Sequence, residues 1–390
     1  MTERPLPRIA RRADGVAPFL AMDVLAAASV TERRGESGVH MEVGQPSAPA
    51  PRAVREAAKS ALDLGRIGYT EALGIAPLRE RIARHYGDAY GVQVEPERVV
   101  VTTGSSAGFV LAFLAMFEAG ERVAITAPGY PAYRNILEAL GLVPEALRLE
   151  KASGWIMTAE AVRRAHAAAP LAGVLAMSPA NPSGTMIGRA ALADLGRTCA
   201  ELGLWFVSDE IYHGLTYGEP AQTALADNPD AVIVNSFSKY YCMTGWRIGW
   251  LVVPQRLVRV IERLTQSLYI SAPYLSQVAA LAAFDATEEL EAVKAGYARN
   301  RALLLEELPR LGITDMHPVD GAFYVYADIA RFTNDSLAFC RRLLDETGIA
   351  ATPGLDFDPQ EGSHYLRLSF AGSEQDCRET VRRMKGFLRG

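Results

Sequence analysis

At 390 residues, with 49% hydrophobic and 22% charged residues, the chain has an ordinary globular composition and enough length for two domains and a large core. A net charge of −5 without a Lys/Arg block argues against a nucleic-acid-binding face, and no apolar run approaches membrane length. Four scattered cysteines (Cys199, Cys242, Cys340 and Cys377) without CxxC spacing indicate neither a disulfide framework nor a zinc site.

In chain order, the N-terminal fifteen residues are basic but lack the apolar core of a signal peptide, which reads as a cytoplasmic protein. Helical patterning covers Arg52 to Leu64 and Pro77 to Tyr90. Val99 to Thr103 reads as a buried strand, followed by glycine and an apolar helix from about Ser106 to Phe117. Short apolar runs recur at Arg122 to Thr126, Gly173 to Met177, Leu204 to Ser208, Ala231 to Val234 and Ile248 to Val253. Helical stretches such as Arg189 to Leu202 separate several of them. This alternation predicts an α/β fold with a mostly parallel sheet covered by helices, whose ligands lie beyond the carboxyl ends of the strands. After Val253 the pattern changes to a long helical stretch over Gln277 to Glu307. Strands at Gly321 to Ala327 and His364 to Phe370 then flank a helix at Ser336 to Thr347. The expected organisation is an N-terminal segment (1–45) joining a smaller α+β domain (289–390), with a large domain (46–288) between them.

The window Asn235 to Trp250 is the most informative part of the chain. Lys239 follows an apolar run and two hydroxyls, Ser236 and Ser238, and Arg247 comes shortly after. A lysine that attacks a carbonyl must be neutral part of the time, so it needs burial or a neighbouring cation that disfavours its charge. Hydroxyls and a guanidinium fork also suit a phosphate dianion. Together they point to pyridoxal 5'-phosphate held by Lys239 as a Schiff base.

Other motifs fall at strand ends. In Thr103-Gly104-Ser105-Ser106-Ala107 the N–H groups of Ser105 and Ser106 and the helix dipole suit a phosphate, although such a turn read alone is structural. Asn181 lies in a turn-forming Asn-Pro-Ser-Gly stretch. Asp209 closes the apolar run Leu204 to Val207, an unfavourable place for a carboxylate without a cation; a protonated pyridine nitrogen is such a cation. Tyr212 and Asn181 could hydrogen-bond a cofactor's phenolate oxygen. Tyr130 could stack on its ring or simply pack. His40, His85, His166, His213, His317 and His364 show no metal-ligand spacing, and no metal is expected.

From about Phe19 onward the chain resembles the class I/II aminotransferases, pyridoxal-phosphate enzymes of fold type I. The matching stretches include Gly44-Gln45-Pro46, Gly68-Tyr69-Thr70, Thr103-Gly104-Ser105-Ser106, Pro128-Gly129-Tyr130-Pro131, Asn181-Pro182-Ser183-Gly184 and Ser208-Asp209-Glu210-Ile211-Tyr212. Ser236-Phe237-Ser238-Lys239, Gly245-Trp246-Arg247-Ile248-Gly249, Gly321-Ala322-Phe323-Tyr324 and Leu366-Arg367-Leu368-Ser369 complete the set, in the family's order. The resemblance implies that Lys239 holds the cofactor and moves the substrate's Cα proton, and that Asp209 pairs with the pyridine nitrogen. Asn181 and Tyr212 would bind the ring oxygen, and Tyr130 would stack on the ring. Ser105, Ser106, Ser236, Ser238 and Arg247 would hold the phosphate. Tyr69 would reach the phosphate of a neighbouring subunit in a homodimer with shared sites. Arg367, with the backbone at Gly44 and Asn181, would grip the substrate α-carboxylate; its alternating neighbours alone permit either face.

The expected reaction is transfer of an α-amino group from an L-amino acid to a 2-oxo acid, pyruvate or 2-oxoglutarate, by a ping-pong cycle. Alternatives are an aspartate-specific aminotransferase or a β-carbon–sulfur lyase of the same fold. A regulator fused to a DNA-binding segment is disfavoured by the short stretch before Phe19. A dinucleotide-binding protein is disfavoured because no GxGxxG follows an early strand. Ser106, where some aspartate-specific relatives carry a basic residue, and the apolar Phe19-Leu20-Ala21-Met22 lean towards neutral, apolar or aromatic donors.

Overall fold

The computed structural model describes residues 7–33 and 37–389. A two-residue strand β1 (Val39–His40) precedes seven longer ones. These are β2 (Val99–Thr102), β3 (Arg122–Ala127), β4 (Val143–Arg148), β5 (Gly173–Met177), β6 (Trp205–Asp209), β7 (Val232–Ser236) and β8 (Gly249–Val252). They form one sheet in the order β2-β8-β7-β6-β5-β3-β4. Strand β8 runs antiparallel to β2 and β7, and the remaining pairs are parallel. The fold is α/β with a mostly parallel central sheet.

The apolar runs are continuous because both faces of this sheet are covered. Successive side chains point to opposite faces. Accordingly Val100, Leu175, Val207 and Val234 join one core, whereas Val101, Val174, Phe206 and Ile233 join the other. Each such side chain contributes roughly 1.5–3 kcal/mol through burial. The first core runs on into the C-terminal region through Phe323, Val325, Leu343 and Leu368. There β9 (Tyr324–Asp328) and β11 (Thr352–Pro353) flank β12 (Tyr365–Ser369), while β10 (Ile349–Ala350) pairs in parallel with β1. The chain's beginning is thereby tied to its end. Among the described residues no helix is long and apolar enough to cross a membrane.

Several expected elements take different bounds. The stretch Gln277 to Glu307 is two helices, Tyr274–Ala283 and Thr287–Arg310. The break lets Phe284 turn into the rings of Phe237 and Tyr241, both 5.4 Å away between centroids, with the Arg81 guanidinium stacked on it. Strand β9 starts at Tyr324 rather than Gly321, because Ala322 sits in a turn at φ 57°. Strand β4, VPEALR, is an edge strand whose proline and charges mask any strand pattern. The helices Leu20–Arg33, Pro131–Ala139, Ala159–Ala168, Gln255–Leu268 and Glu374–Phe387 add to those that the patterning predicts.

Candidate active site

The carboxyl ends of β2, β3, β5, β6 and β7 meet at a cavity of about 240 Å³. The strand order places it where open α/β sheets take their ligands. Each functional side chain arrives from a strand end. Asp209 is the last residue of β6, Lys239 follows β7, Asn181 follows β5, and Tyr130 follows β3. Ser105 and Ser106 open the helix after β2.

Lys239 Nζ donates to the Gly44 carbonyl at 2.7 Å. Burial, with help from the charges of Arg367 and Arg247, pulls its pKa down to about 8, while Asp209 opposes the shift. An amine in that range is neutral in a useful fraction near neutral pH, which nucleophilic attack requires. Asp209 is 2% exposed. Burial pushes its carboxyl up to about 6, restrained by a hydrogen bond from the Tyr133 hydroxyl, one from the Ile211 N–H at 3.0 Å, and the charge of Lys239. It has no ion pair within 4 Å among the described residues. A carboxylate so placed holds its charge best once a cation occupies the cavity beside it.

An anion cradle forms at the other end. The helix Ser105–Met116 has no side-chain N-cap, its first N–H groups have no intrahelical partners, and its first two residues line the cavity. Gly104, at φ 80°, must be glycine here, because a Cβ would lie 2.2 Å from the Arg247 guanidinium. Arg247 donates to the Thr244 carbonyl at 2.9 Å and lines the cavity with Ser105, Ser106 and Ser238.

Arg367 enters from β12 and is 2% exposed. Its guanidinium donates to Asn181 Oδ1 at 2.9 Å, to Thr352 Oγ1 at 3.1 Å and to the Glu42 carbonyl. It stacks on Tyr324 (4.4 Å) and Phe357 (4.7 Å), and its Nε is buried without a partner. All its partners are neutral. A buried guanidinium among neutral groups retains a strong demand for an anion.

A model of the family described as aminotransferase class I and II matches residues 36–384. The chain belongs to the class I and II aminotransferases. It is 50% identical to the valine–pyruvate aminotransferase of Mycobacterium tuberculosis over 98% of each chain. The crystal structure of an aminotransferase from Mycobacterium tuberculosis superposes with a TM-score of 0.95 at 49% identity, covering 98% of this chain and 100% of that one. The aspartate aminotransferase of Thermus thermophilus with maleate gives a TM-score of 0.92 at 31% identity, with the same coverage. The family is one of pyridoxal-phosphate enzymes, and the chain is accordingly an aminotransferase acting on amino acids and 2-oxo acids.

Of the residues expected at the aminotransferase site, Gly44, Ser105, Ser106, Tyr130, Asn181, Asp209, Tyr212, Ser238, Lys239, Arg247 and Arg367 all line the cavity. Ser236 does not. Its buried hydroxyl lies 3.0 Å from the Ile248 carbonyl and 2.8 Å from the Ser238 hydroxyl, and accepts from the Ser238 N–H. It shapes the turn that presents Ser238. Tyr69 is 82% exposed and stands outside the cavity of its own chain. The carbonyl beside Arg367 is that of Glu42, whereas the Gly44 carbonyl serves Lys239. Sequence reasoning missed Tyr133, Tyr324 and Thr352. For Tyr133 a signal existed, since it lies one helical turn after Tyr130 in a helix opened by Pro131.

These groups fit pyridoxal phosphate. The cradle supplies orphan N–H donors, hydroxyls and Arg247 for a dianion, Asp209 offers a buried charge to a ring cation, and Lys239 lines the same cavity as an amine of lowered pKa.

Proposed function

We propose that the chain uses pyridoxal phosphate to move an α-amino group from a neutral L-amino acid to a 2-oxo acid, pyruvate or 2-oxoglutarate, in a ping-pong cycle. The observation that carries this reading is the meeting of Lys239, Asp209, Arg247 and Arg367 in one cavity, each cation free of ion pairs among the described residues. When bound, pyridoxal phosphate supplies a conjugated ring that accepts the electron pair released as the substrate's Cα–H bond breaks.

The protein's part follows from the geometry. Ser105, Ser106, Ser238 and Arg247 would hold the phosphate. Asp209, steadied by Tyr133, would keep the ring nitrogen protonated. Tyr212 and the Asn181 amide, whose oxygen accepts from Arg367, line the cavity where they would meet the ring oxygen, and Tyr130 would lie against the ring. Arg367 takes the substrate carboxylate through the groups still unmet on its guanidinium. Lys239 takes the proton from Cα and delivers it to the cofactor side, then reverses the transfer in the second half-reaction. Amino donor and oxo acceptor carry the same α-carboxylate and meet one Arg367, so they use the site in turn. One shared carboxylate site supports a ping-pong order.

The donor is read from the walls. Phe19, Ala21, Met22, Phe109 and Ile211 line the cavity, and its cations are Lys239, Arg247 and Arg367, each already assigned. A second carboxylate in the substrate would lie there unpaired, at a cost of several kcal/mol. The 50% identical relative named for valine and pyruvate supports the same choice over the 31% identical aspartate enzyme. A half-reaction screen of cofactor absorbance should show valine, alanine, leucine, methionine or phenylalanine reacting faster than aspartate. A kcat/KM for aspartate above all of these would overturn the donor class. Oxo-acid release without return of the amino group to an acceptor would replace the transferase reading with a lyase.

A further inference from the structure

The Tyr212 hydroxyl has a partner that the assignments above leave unused. Tyr324 opens β9 and lies opposite Ser369 of β12, the strand that carries Arg367. Its hydroxyl is 2.6 Å from that of Tyr212, and the two rings meet edge to face at 5.7 Å. Both residues are buried, at 1% and 2% exposure, and both line the cavity. The Arg367 guanidinium lies 4.4 Å above the Tyr324 ring. The Tyr324 hydroxyl also packs so closely on Gly44 that a Cβ there would fall 1.6 Å from it. One side chain thus abuts the phenol facing the cofactor, the arginine facing the substrate and the backbone that receives Lys239.

We propose that Tyr324 is a positioning residue acting through Tyr212: its hydroxyl donates to the Tyr212 oxygen and strengthens the donation of Tyr212 to the oxygen of the bound cofactor ring. The proposal rests on the reading that this site holds pyridoxal phosphate. Each phenol has one proton. Once an anionic ring oxygen faces Tyr212, the Tyr212 proton is drawn to it, and the Tyr212 oxygen is left to accept from Tyr324. The direction of the chain is therefore Tyr324 to Tyr212 to cofactor, and a chain of hydrogen bonds polarises each member. Burial raises the pKa of both phenols and keeps them protonated, so each has a proton to donate, while the positive charge of Arg367 over the Tyr324 ring works against that rise. The Gly44 backbone and the Arg367 guanidinium both pack against Tyr324 and hold its hydroxyl beside that of Tyr212.

The test uses the holoenzyme and Tyr324→Phe, which keeps the ring under Arg367 and removes only the hydroxyl. A weaker donation from Tyr212 leaves the ring oxygen more basic, so it holds the proton shared with the lysine-derived nitrogen more tightly. The pH midpoint of the bound cofactor's absorbance change should rise by a few tenths to about one unit. Tyr212→Phe should raise it further. Adding Tyr324→Phe to Tyr212→Phe should then change nothing more, because the path through Tyr212 is gone. Binding of an unreactive carboxylate such as isovalerate should be unaltered in Tyr324→Phe. An unmoved midpoint, an equal shift in both backgrounds, or weakened carboxylate binding would each overturn the relay while leaving the aminotransferase assignment intact. Absence of a cofactor absorbance band in the unmodified protein would instead remove the reading on which the relay stands.

Discussion

Buried charges at this site are placed against neutral surroundings, and that arrangement makes the consequences of single changes calculable. Lys239→Ala removes both the nucleophile and the proton carrier while leaving the cradle at Ser105 and Arg247 in place. Cofactor should still bind, and transamination should fall by about 10⁴-fold or more; near-normal turnover would sink the role of Lys239. In Asp209→Asn the hydrogen bonds with Tyr133 and Ile211 have a neutral replacement, but the charge that holds a proton on the ring nitrogen is gone. The expected result is a drop in kcat on the order of 10²-fold or more with a smaller change in cofactor affinity. Arg367→Ala loses a charge-assisted pair with the substrate carboxylate and should lower kcat/KM by about 100-fold or more. An equal loss of cofactor binding in that variant would mean that Arg367 serves the fold instead. Lys239 and Asp209 are legible in one dimension because a charge after an apolar run conflicts with its neighbours, and Arg247 because a guanidinium follows two hydroxyls and that lysine. Tyr133, Tyr324 and Thr352 carry no such conflict. A tyrosine or threonine beside a strand looks like core, and only the fold brings these three to Asp209, Tyr212 and Arg367.

The helix Leu20–Arg33, whose first turn borders the cavity, shows how such an element is attached. Its first turn supplies Ala21 and Met22 to the cavity wall, with Phe19 just ahead. Its apolar attachment is small, chiefly Ala28 and Val24 against Leu344 and Ala350. Polar anchors do the rest. Leu20 and Ala21 donate their N–H groups to Asp356 at 2.9 and 3.2 Å, an acid at the positive end of the helix. At the other end His40 joins Glu32 of the helix (2.9 Å) to the fully buried Glu42 (2.7 Å), whose carbonyl holds Arg367. The hydrogen bond to Glu42, then that to Glu32, outweighs burial and raises His40 from 6.5 to about 9. A raised folded-state pKa means that this contribution to stability is complete below about 6.5 and is lost as pH climbs through about 9. His40→Gln should therefore lower Tm near pH 6 by on the order of 1–3 °C, since the half-exposed ring is screened by solvent. At pH 10 the variant and the parent should melt together, and a difference that persists there would show that the ring acts by packing. This helix escaped sequence reasoning because LAMDVLAAASVTER has neither a strong cap nor a clear apolar stripe. The strands of the sheet were legible for the opposite reason: burial on both faces writes them as unbroken apolar runs.

At the scale of the molecule, one surface is more apolar than a lone chain needs. Leu64, Ile67 and Tyr69 are 74%, 50% and 82% exposed, and Leu268 and Ile270 are 52% and 42% exposed. The two segments share a face, since Thr70 donates its N–H to Ser271 Oγ at 3.3 Å and Gln277 donates to Thr70 Oγ1 at 3.0 Å. Ile270 holds a left-handed backbone at φ 69°, which costs a β-branched residue energy unless its surroundings impose it. Apolar side chains clustered on one face mark a surface made to be covered. A second copy of this chain, related by a two-fold axis, would cover it with the same patch. We propose, as the family resemblance implies, that such a copy brings its Tyr69 towards the cradle formed by Ser105 and Arg247. The proposal of a dimer with shared sites makes an asymmetric prediction. Tyr69→Ala and Lys239→Ala homodimers are each impaired at both sites. In a mixed dimer, the site with an intact Lys239 receives an intact Tyr69 from across the interface, and the other site carries both changes. Co-refolding the two variants should therefore yield activity above the average of the parents, approaching half that of the unmodified dimer per mixed pair. If Tyr69 serves its own chain, mixing restores nothing, and the activity remains the average. A fully active monomer by light scattering would remove the shared site altogether.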